Sequence, residues 1–364
     1  MNIEPVFESI LNPPTGCDVQ SSIAGTIRTV CDDFQVEEIP AYHPDGTGDH
    51  LFLWIEKRNL SAPDLIKHLS RQLSLKERDI GMAGQKDKVA VTRQFVSVPA
   101  AVRSEISKVE SDEVKLLLVA AHRNKLRTGH LRGNRFRVTL RPAGEEPFSD
   151  EQFHRIRDAL LQITQNGFPN FFGPQRFGRH GRNLKRNRQP ATGTGRRTGR
   201  AARFQVSVWQ AAVFNLVLAE RVRRGEFRSP IAGDVVCRRG GIRPFRFSDR
   251  GSIEASELIP MGPMPGSKML AAEDDALEFE QEALQQLDLS FDQFAAQGKR
   301  SPGTRRRMVE WPTATSVTRT DDGGLQCNFE LSAGVFATVL LAELFHPLID
   351  ASTSESSAAP SDSE

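Results

Sequence analysis

The sequence predicts an α+β fold interrupted by a basic insertion. Three observations carry this expectation. Strand-like and helix-like segments mix up to about residue 165, and a strand pair followed by a helix returns after residue 313. Between them, Phe168–Arg203 is rich in Gly, Arg and Asn and shows little periodicity. A chain of 364 residues also exceeds one ordinary domain.

Taken in order, Ile27–Val30 and Phe34–Ile39 read as short strands around the turn residues Asp32 and Asp33. His50–Lys57 (HLFLWIEK) is apolar on both faces, as a central strand is. Ser61–Leu73 reads as a helix. Ser61 can cap it with Asp64 closing a capping box, Pro63 suits the first turn, and Leu65, Ile66, Leu69 and Leu73 form one face. Ile80–Ala83 is a short strand into a turn at Gly84. Ala90–Val98, Glu113–Ala121 and Asn134–Leu140 have strand composition, the last alternating Phe136, Val138 and Leu140 with Arg135, Arg137 and Thr139.

Ser149–Gln165 repeats Phe153, Ile156, Leu160 and Ile163 at helical spacing and closes on Gly167. Ser207–Arg224 is a helix stopped by Gly225. Ser256–Lys268, with three Pro and two Gly, is expected to be a loop. Glu273–Leu287 is an acidic helix. Thr313–Arg319 and Leu325–Leu331 are strands, followed by a helix from Ala333 to Phe345 capped by Ser332. Asp350–Glu364, built from Ser, Ala, Asp and Glu, is expected to be disordered. The terminal α+β pieces should share one domain, because a strand pair and one helix are too little to stand alone.

Composition narrows the function. Apolar runs such as Leu116–Ala121 and Val335–Leu341 are far too short to span a bilayer, and MNIEPVFESI carries acids where a secretory signal needs bases. A soluble, intracellular protein with no membrane partner is expected. The four cysteines are scattered, the eight histidines form no ligand-like cluster, and there is no GxGxxG or Walker loop. No metal and no cofactor are therefore expected.

The net charge of +2 conceals segregation. Asn170–Arg203 holds ten Lys or Arg and no acid, and His122–Arg137 holds six more and no acid. Cys237–Arg250 adds five Arg against one Asp, and the balance is restored by the acidic stretch Glu273–Asp292. Long acid-free runs mixed with Phe, Asn and Gly suit a polyanion such as RNA or DNA, although any one run alone is most often solvated surface.

The stretch with the most chemistry is Gly81–Gln94, GMAGQKDKVAVTRQ. Asp87 lies between Lys86 and Lys88, whose ammonium groups favour an ionised carboxylate able to act as nucleophile or base. Gly84 permits a tight turn or the close approach of a ligand. A bare KDK is more often an ordinary charged turn. Here, however, the stretch resembles the catalytic motif of the TruD family of pseudouridine synthases, roughly AGxKDxxAxTxQ, with Ala83, Gly84, Lys86, Asp87, Ala90, Thr92 and Gln94 filling it.

Other segments resemble the same family in the right order. Asp33–Glu38 (DFQVEE) is similar to its DFxVxE segment, and Asn124–Phe136 (NKLRTGHLRGNRF) to the stretch ending in GNxF. Asn170–Gly178 (NFFGPQRFG) is similar to NYFGxQRFG, and Phe329–Leu344 to the closing segment with its aromatic-Ala-Thr core. Phe171 stands where the family often has Tyr, and Ser332 and Val335 depart from its LPxGS[YF]AT.

The resemblance implies a catalytic domain with a mixed, mostly antiparallel sheet flanked by helices, made of residues 1–167 and 313–349. It also implies an inserted RNA-binding α+β domain at 168–312, leaving 350–364 as a tail. It implies isomerisation of uridine to pseudouridine in tRNA, at position 13, with Asp87 catalytic and Phe34, Asn134, Phe136 and Phe336 binding the substrate. Arg28, Lys86, Arg127, Arg176, Arg179 and Arg182 are the candidate RNA contacts, with Lys185 and Arg186 in the same insertion. The chemistry adds no atom and changes no oxidation state, so it needs no cofactor. The target must be everted from its stack, and an aromatic platform would receive it. Phe136 and Phe336 are the candidate platforms, with Phe34 nearby.

No protein partner is implied, and a monomer is expected. Two other classes fit the residues less well: a non-catalytic RNA-binding protein or RNA chaperone, which has no need of Asp87, and a hydrolase of glycosidic bonds, which would release free base.

Overall fold

The computed structural model describes residues 4–17, 22–185, 200–247 and 254–353. The chain divides into two compact units. One is made of Met1–Gln20, Asn166–Trp311 and Thr338–Glu343, the other of Ser21–Gln165, Pro312–Ala337 and Leu344–Glu364.

The second unit is built on a ten-stranded sheet. Its strands are β1 (Gly25–Ile27), β2 (Phe34–Pro40), β3 (His50–Arg58), β4 (Gly81–Met82), β5 (Val91–Pro99), β6 (Val114–His122), β7 (Leu131–Pro142), β8 (Thr313–Arg319), β9 (Leu325–Ser332) and β10 (Leu348–Asp350). The main path runs β8-β9-β7-β2-β5-β3-β6; β4 pairs with β5, and β1 pairs with both β7 and β10. Among the described residues, only β2–β5 and β1–β10 are parallel pairs in this sheet. The sheet is thus mixed and mostly antiparallel, as expected, and the β3 segment is central, between β5 and β6.

On one face Leu51, Leu53, Ile55, Val96 and Val98 pack with Leu65 and Leu69 of the helix Ala62–Gln72. Ser61 caps this helix, its Oγ accepting from the Asp64 amide at 3.2 Å. Around Phe52 and Phe95 a smaller cluster holds Ala83 and Leu126. Gly133 is needed where β7 meets β9, because a Cβ there would stand 2.2 Å from the Leu331 carbonyl oxygen.

The first unit contains a four-stranded sheet, Phe245–Arg246, Val235–Arg238, Leu258–Met264 and Thr304–Arg307 in that order. The 24-residue helix Arg200–Arg223 and the helix Asp274–Gln286 belong to the same unit. Two buried ion pairs, Arg221–Asp234 at 3.0 Å and Arg305–Glu280, lie within it.

The structure corrects several expectations. Leu258–Met264 is a strand rather than a loop. It pairs with Val235–Arg238 over Leu258–Pro260 and with Thr304–Arg307 over Met261–Met264, so its residues take ladder partners on one neighbour at a time. That spares the prolines, which have no N–H to give. The first strand ends at Ile27 instead of Val30, because Arg28 turns to φ +58°. The last helix begins at Ala337, with Ser332 still in β9.

Residues 4–17 join the first unit rather than the expected 1–167 domain. The helix Glu4–Leu11, unforeseen in the sequence, is tied by Asn215, which donates to the Ile10 carbonyl at 3.1 Å. Glu343 accepts from the Gly16 and Cys17 amides at 2.9 Å. Asp350 is not the start of a tail but the end of β10, followed by a helical turn at Ala351–Thr353. The rest of the expected tail, residues 354–364, lies outside the described residues, as does Arg186.

Candidate active site

The loop from Ala83 to Ala90 joins β4 to β5 and carries Asp87, whose side chain is 47% exposed. Several backbone anchors fix this loop. The Gly129 amide donates to the Ala83 carbonyl at 2.8 Å, and the Asn59 amide to the Ala90 carbonyl at 3.2 Å. Lys57, wholly buried on β3, donates through Nζ to the Asp87 carbonyl at 2.8 Å and to the Leu60 carbonyl at 2.6 Å. Burial pushes its ammonium down from 10.5 to about 8, against the opposing pull of Asp87.

Gly84 has no positive φ, and a Cβ there would meet nothing closer than Lys86 Nζ at 3.5 Å. The turn therefore does not require glycine. Of its two expected uses, close approach of a ligand is the one that survives.

The carboxylate is held from one side only. Arg28 Nη2 donates to Asp87 Oδ2 at 2.8 Å, while Nη1 donates to Asp350 Oδ2 at 2.5 Å. The same guanidinium lies 3.9 Å above the centroid of Phe34. Among the described residues, Asp87 Oδ1 accepts no hydrogen bond. The site thus presents one restrained and one open carboxylate oxygen on a loop anchored through its backbone.

Phe34 and Phe136 meet edge to face at 6.2 Å, and Phe136 stacks on Phe329 at 5.3 Å. Beside them, Asn134 Oδ1 accepts from Lys86 Nζ at 2.7 Å, and Lys86 also reaches Glu38 Oε2 at 3.3 Å. Glu38 Oε1 accepts from the Phe95 amide at 3.4 Å. Burial drives the two charges of this pair toward neutrality: it raises Glu38 and lowers Lys86, and each opposes the effect on the other. With its carbonyl engaged, Asn134 has its amide nitrogen to offer as a donor.

Several expected roles change. Arg28 is buried and engaged by two carboxylates, so it is a counter-ion of Asp87 and not a phosphate contact. Lys86 is likewise buried, pointing away from solvent to Glu38 and Asn134, and is no surface RNA contact. The cation hydrogen-bonded to the Asp87 carboxylate is Arg28, while the buried ammonium groups of Lys57 and Lys86 act on it through their charge and Lys88 is exposed. Phe34, 1% exposed, and Phe136, 7% exposed, are largely enclosed and offer little face to an incoming base. Phe336 is half-buried and follows β9, whose Leu331 pairs with Asn134. Thr92 and Gln94 of the motif are wholly buried supports within β5.

Tyr42 lies in the neighbouring cluster with Ala83 and Leu131, its hydroxyl 2.6 Å from His130 Nδ1. Of the remaining basic candidates, Arg127 and Arg182 are exposed. Arg176 is partly buried between Phe172 and Phe204, and the Arg179 side chain lies outside what the structure describes. Three residues that shape the site were missed in the sequence. Lys57 had a signal, a lysine ending an otherwise apolar strand. Glu38 had a weaker one, the last acid of DFQVEE. Asp350 had none.

The family model for tRNA pseudouridine synthase D (TruD) matches residues 17–186 and 199–344. This chain belongs to the TruD family. Curated TruD relatives include a tRNA pseudouridine synthase D of Anaeromyxobacter sp. (strain Fw109-5), 38% identical over 333 residues, covering 88% of this chain and 92% of the relative. Another, from Thermus thermophilus, is 35% identical over 329 residues, covering 88% and 89%. A crystal structure from Methanosarcina mazei, described as a TruD target, has the same fold at a TM-score of 0.72 and 22% identity, covering 95% of this chain and 99% of that one. Within this TruD chain, Phe171 is 1% exposed, so the ring that replaces the family's frequent Tyr is enclosed without a hydroxyl to satisfy.

Proposed function

We propose that this chain isomerises uridine to pseudouridine in tRNA, at position 13, with Asp87 as the reacting group. The observation that carries the assignment is a half-exposed carboxylate inside the TruD motif, fixed through Oδ2 by Arg28 and open at Oδ1. The reaction breaks the N1–C1′ bond, turns the uracil and joins C5 to C1′. A carboxylate oxygen facing the ribose serves both available routes, addition at C1′ and removal of the C2′ proton. Holding the carboxylate by one edge keeps the other free for the sugar.

The target nucleotide is everted to reach Asp87. Asn134 donates from its amide nitrogen to a uracil carbonyl, and Phe336 offers the most accessible of the three candidate rings. Phe136 has no titratable group, so the C5 proton leaves to Asp87, water or an RNA group. The inserted unit holds the RNA backbone through Arg182, Lys185 and Arg176, with Arg127 contributing from the sheet unit. Such contacts set register and carry no sequence information by themselves. The enzyme acts as a cytoplasmic monomer without a cofactor. Among the described residues no helix is long and apolar enough to cross a membrane.

The test is Asp87→Asn with pseudouridine mapping of tRNA and a parallel tRNA-binding measurement. Binding should persist while modification disappears. A variant that still makes pseudouridine would remove Asp87 from the chemistry, and release of free uracil by the parent would point to a hydrolase instead.

A further inference from the structure

Arg28 serves two carboxylates, and only one of them belongs to the catalytic motif. The other, Asp350, comes from the far end of the chain and is itself held in place. It closes β10, which pairs in parallel with β1 so that Ile27 lies opposite Asp350, one residue before Arg28. Its Oδ1 accepts from the Ser352 amide at 3.1 Å and the Ser352 hydroxyl at 2.6 Å. That fixes the carboxylate rotamer and turns Oδ2 toward Arg28 Nη1. The helical turn Ala351–Thr353 is closed in part by Thr353, whose hydroxyl donates to the Asp350 carbonyl at 2.7 Å.

A guanidinium with one edge left unheld could rotate about its long stem. With Nη1 clamped by Asp350 and the plane lying over Phe34, Nη2 has one place to point, and Asp87 Oδ2 is there.

We propose that Asp350 is a positioning residue for the reaction: through Arg28 it sets the orientation of the Asp87 carboxylate. This rests on the assignment of Asp87 as the reacting group. The carboxylate of Asp350 does not touch Asp87, so its effect falls on the chemical step and not on tRNA capture.

The experiment uses the full chain and a tRNA transcript made with C5-tritiated uridine, following tritium release. Asp350→Asn is isosteric but cannot satisfy both neighbours. If its oxygen faces Ser352, its NH2 faces the Arg28 donors; if it flips, it faces the Ser352 amide instead. The expected result is a fall in kcat of about 10- to 100-fold with KM moving less than about threefold, the size typical of a small misplacement at a reacting centre. In an Arg28→Lys background, where a point charge cannot bridge two carboxylates, Asp350→Asn should add less than about threefold more. A kcat within twofold of the parent, or an equal additional loss in the Arg28→Lys background, overturns the proposal.

If Asp350→Asn loses its native circular dichroism, Ser352→Ala decides, since it keeps β10 and the carboxylate but removes one hydrogen bond on Oδ1. A severalfold fall in kcat then supports the role, and an unchanged kcat refutes it. Asp87→Asn is run alongside. Activity surviving in that variant defeats the Asp87 assignment itself, whatever Asp350 does.

Discussion

Replacing Lys57 by Met should uncouple stability from activity. Met keeps the length and apolar stem but removes both donors, to the Asp87 carbonyl at 2.8 Å and the Leu60 carbonyl at 2.6 Å. Each lost bond from a charged group costs about 1.5–3 kcal/mol, so the two together cost roughly 3–6 kcal/mol. The lysine, however, carries its own penalty. A drop from 10.5 to about 8 means that burial disfavours the charged form by roughly 3 kcal/mol, at about 1.4 kcal/mol per pKa unit. Removing the charge returns that amount, and the net destabilisation is on the order of 0–3 kcal/mol. For a unit of this size that lowers the melting temperature by at most about 12 °C, at about 2–4 °C per kcal/mol.

The Asp87 backbone, in contrast, loses its anchor from beneath, and a shift of a few tenths of an ångström at the proposed reacting carboxylate should lower kcat about 10- to 100-fold. Calorimetry and single-turnover tritium release from C5-tritiated tRNA measure the two effects separately. Lys57→Met with native melting and parental kcat would show that the ammonium does not position the loop. Loss of activity only in proportion to loss of folded protein would show that its role is purely structural.

Further outcomes follow from other contacts. Because the folded-state value of Lys57 lies below its unfolded value, the unfolded chain binds more protons between pH 8 and 10.5. This group's contribution to stability therefore rises with pH across that window, and denaturant titrations of Lys57→Met should lack the rise. Gly133→Ala places a Cβ 2.2 Å from the Leu331 carbonyl oxygen. It should cost about 1–3 kcal/mol or more by overpacking, and a variant that melts with the parent would remove the steric explanation. Arg127→Ala and Arg182→Ala should each weaken tRNA binding and flatten the plot of log K against log salt by about 0.7–0.9, and unchanged slopes would exclude phosphate contact. In the folded protein, thiol reagents should reach Cys17 and Cys31 but neither buried thiol, Cys237 or Cys327, the latter pushed up to about 12 by burial. Rapid labelling of Cys327 would contradict the packing of β9.

Much of the sheet unit was legible in the chain because its signals are local. Ser61 and Pro63 mark the start of one helix, and the apolar run from His50 identifies the central strand. The seven motif positions around Asp87 lie in one continuous stretch. What escaped depends on partners remote in sequence. Arg28 looked like a surface cation until the fold brought Asp87 and Asp350 to its two edges. Lys86 read as a neighbour of Asp87, but a loop can send adjacent side chains in opposite directions, and Lys86 goes inward to Glu38. Prolines made Leu258–Met264 look like a loop, because composition does not reveal that the strand changes ladder partner halfway along. Phe34 was expected near an incoming base, whereas the fold places it beneath Arg28.

The order of strands also bears on when this protein can begin to work. β7 is bordered over Gly133–Leu140 by β9, whose residues are synthesised only after the whole inserted segment, and β1 takes β10 as neighbour later still. A chain still emerging from the ribosome has a bare β7 edge, a surface prone to unwanted pairing until its own late segment arrives. Sheet closure and the Arg28–Asp350 contact thus wait for segments made after the inserted one, so a product truncated before Leu348 would carry the Asp87 motif without the strand that borders β1 and without the second carboxylate on Arg28.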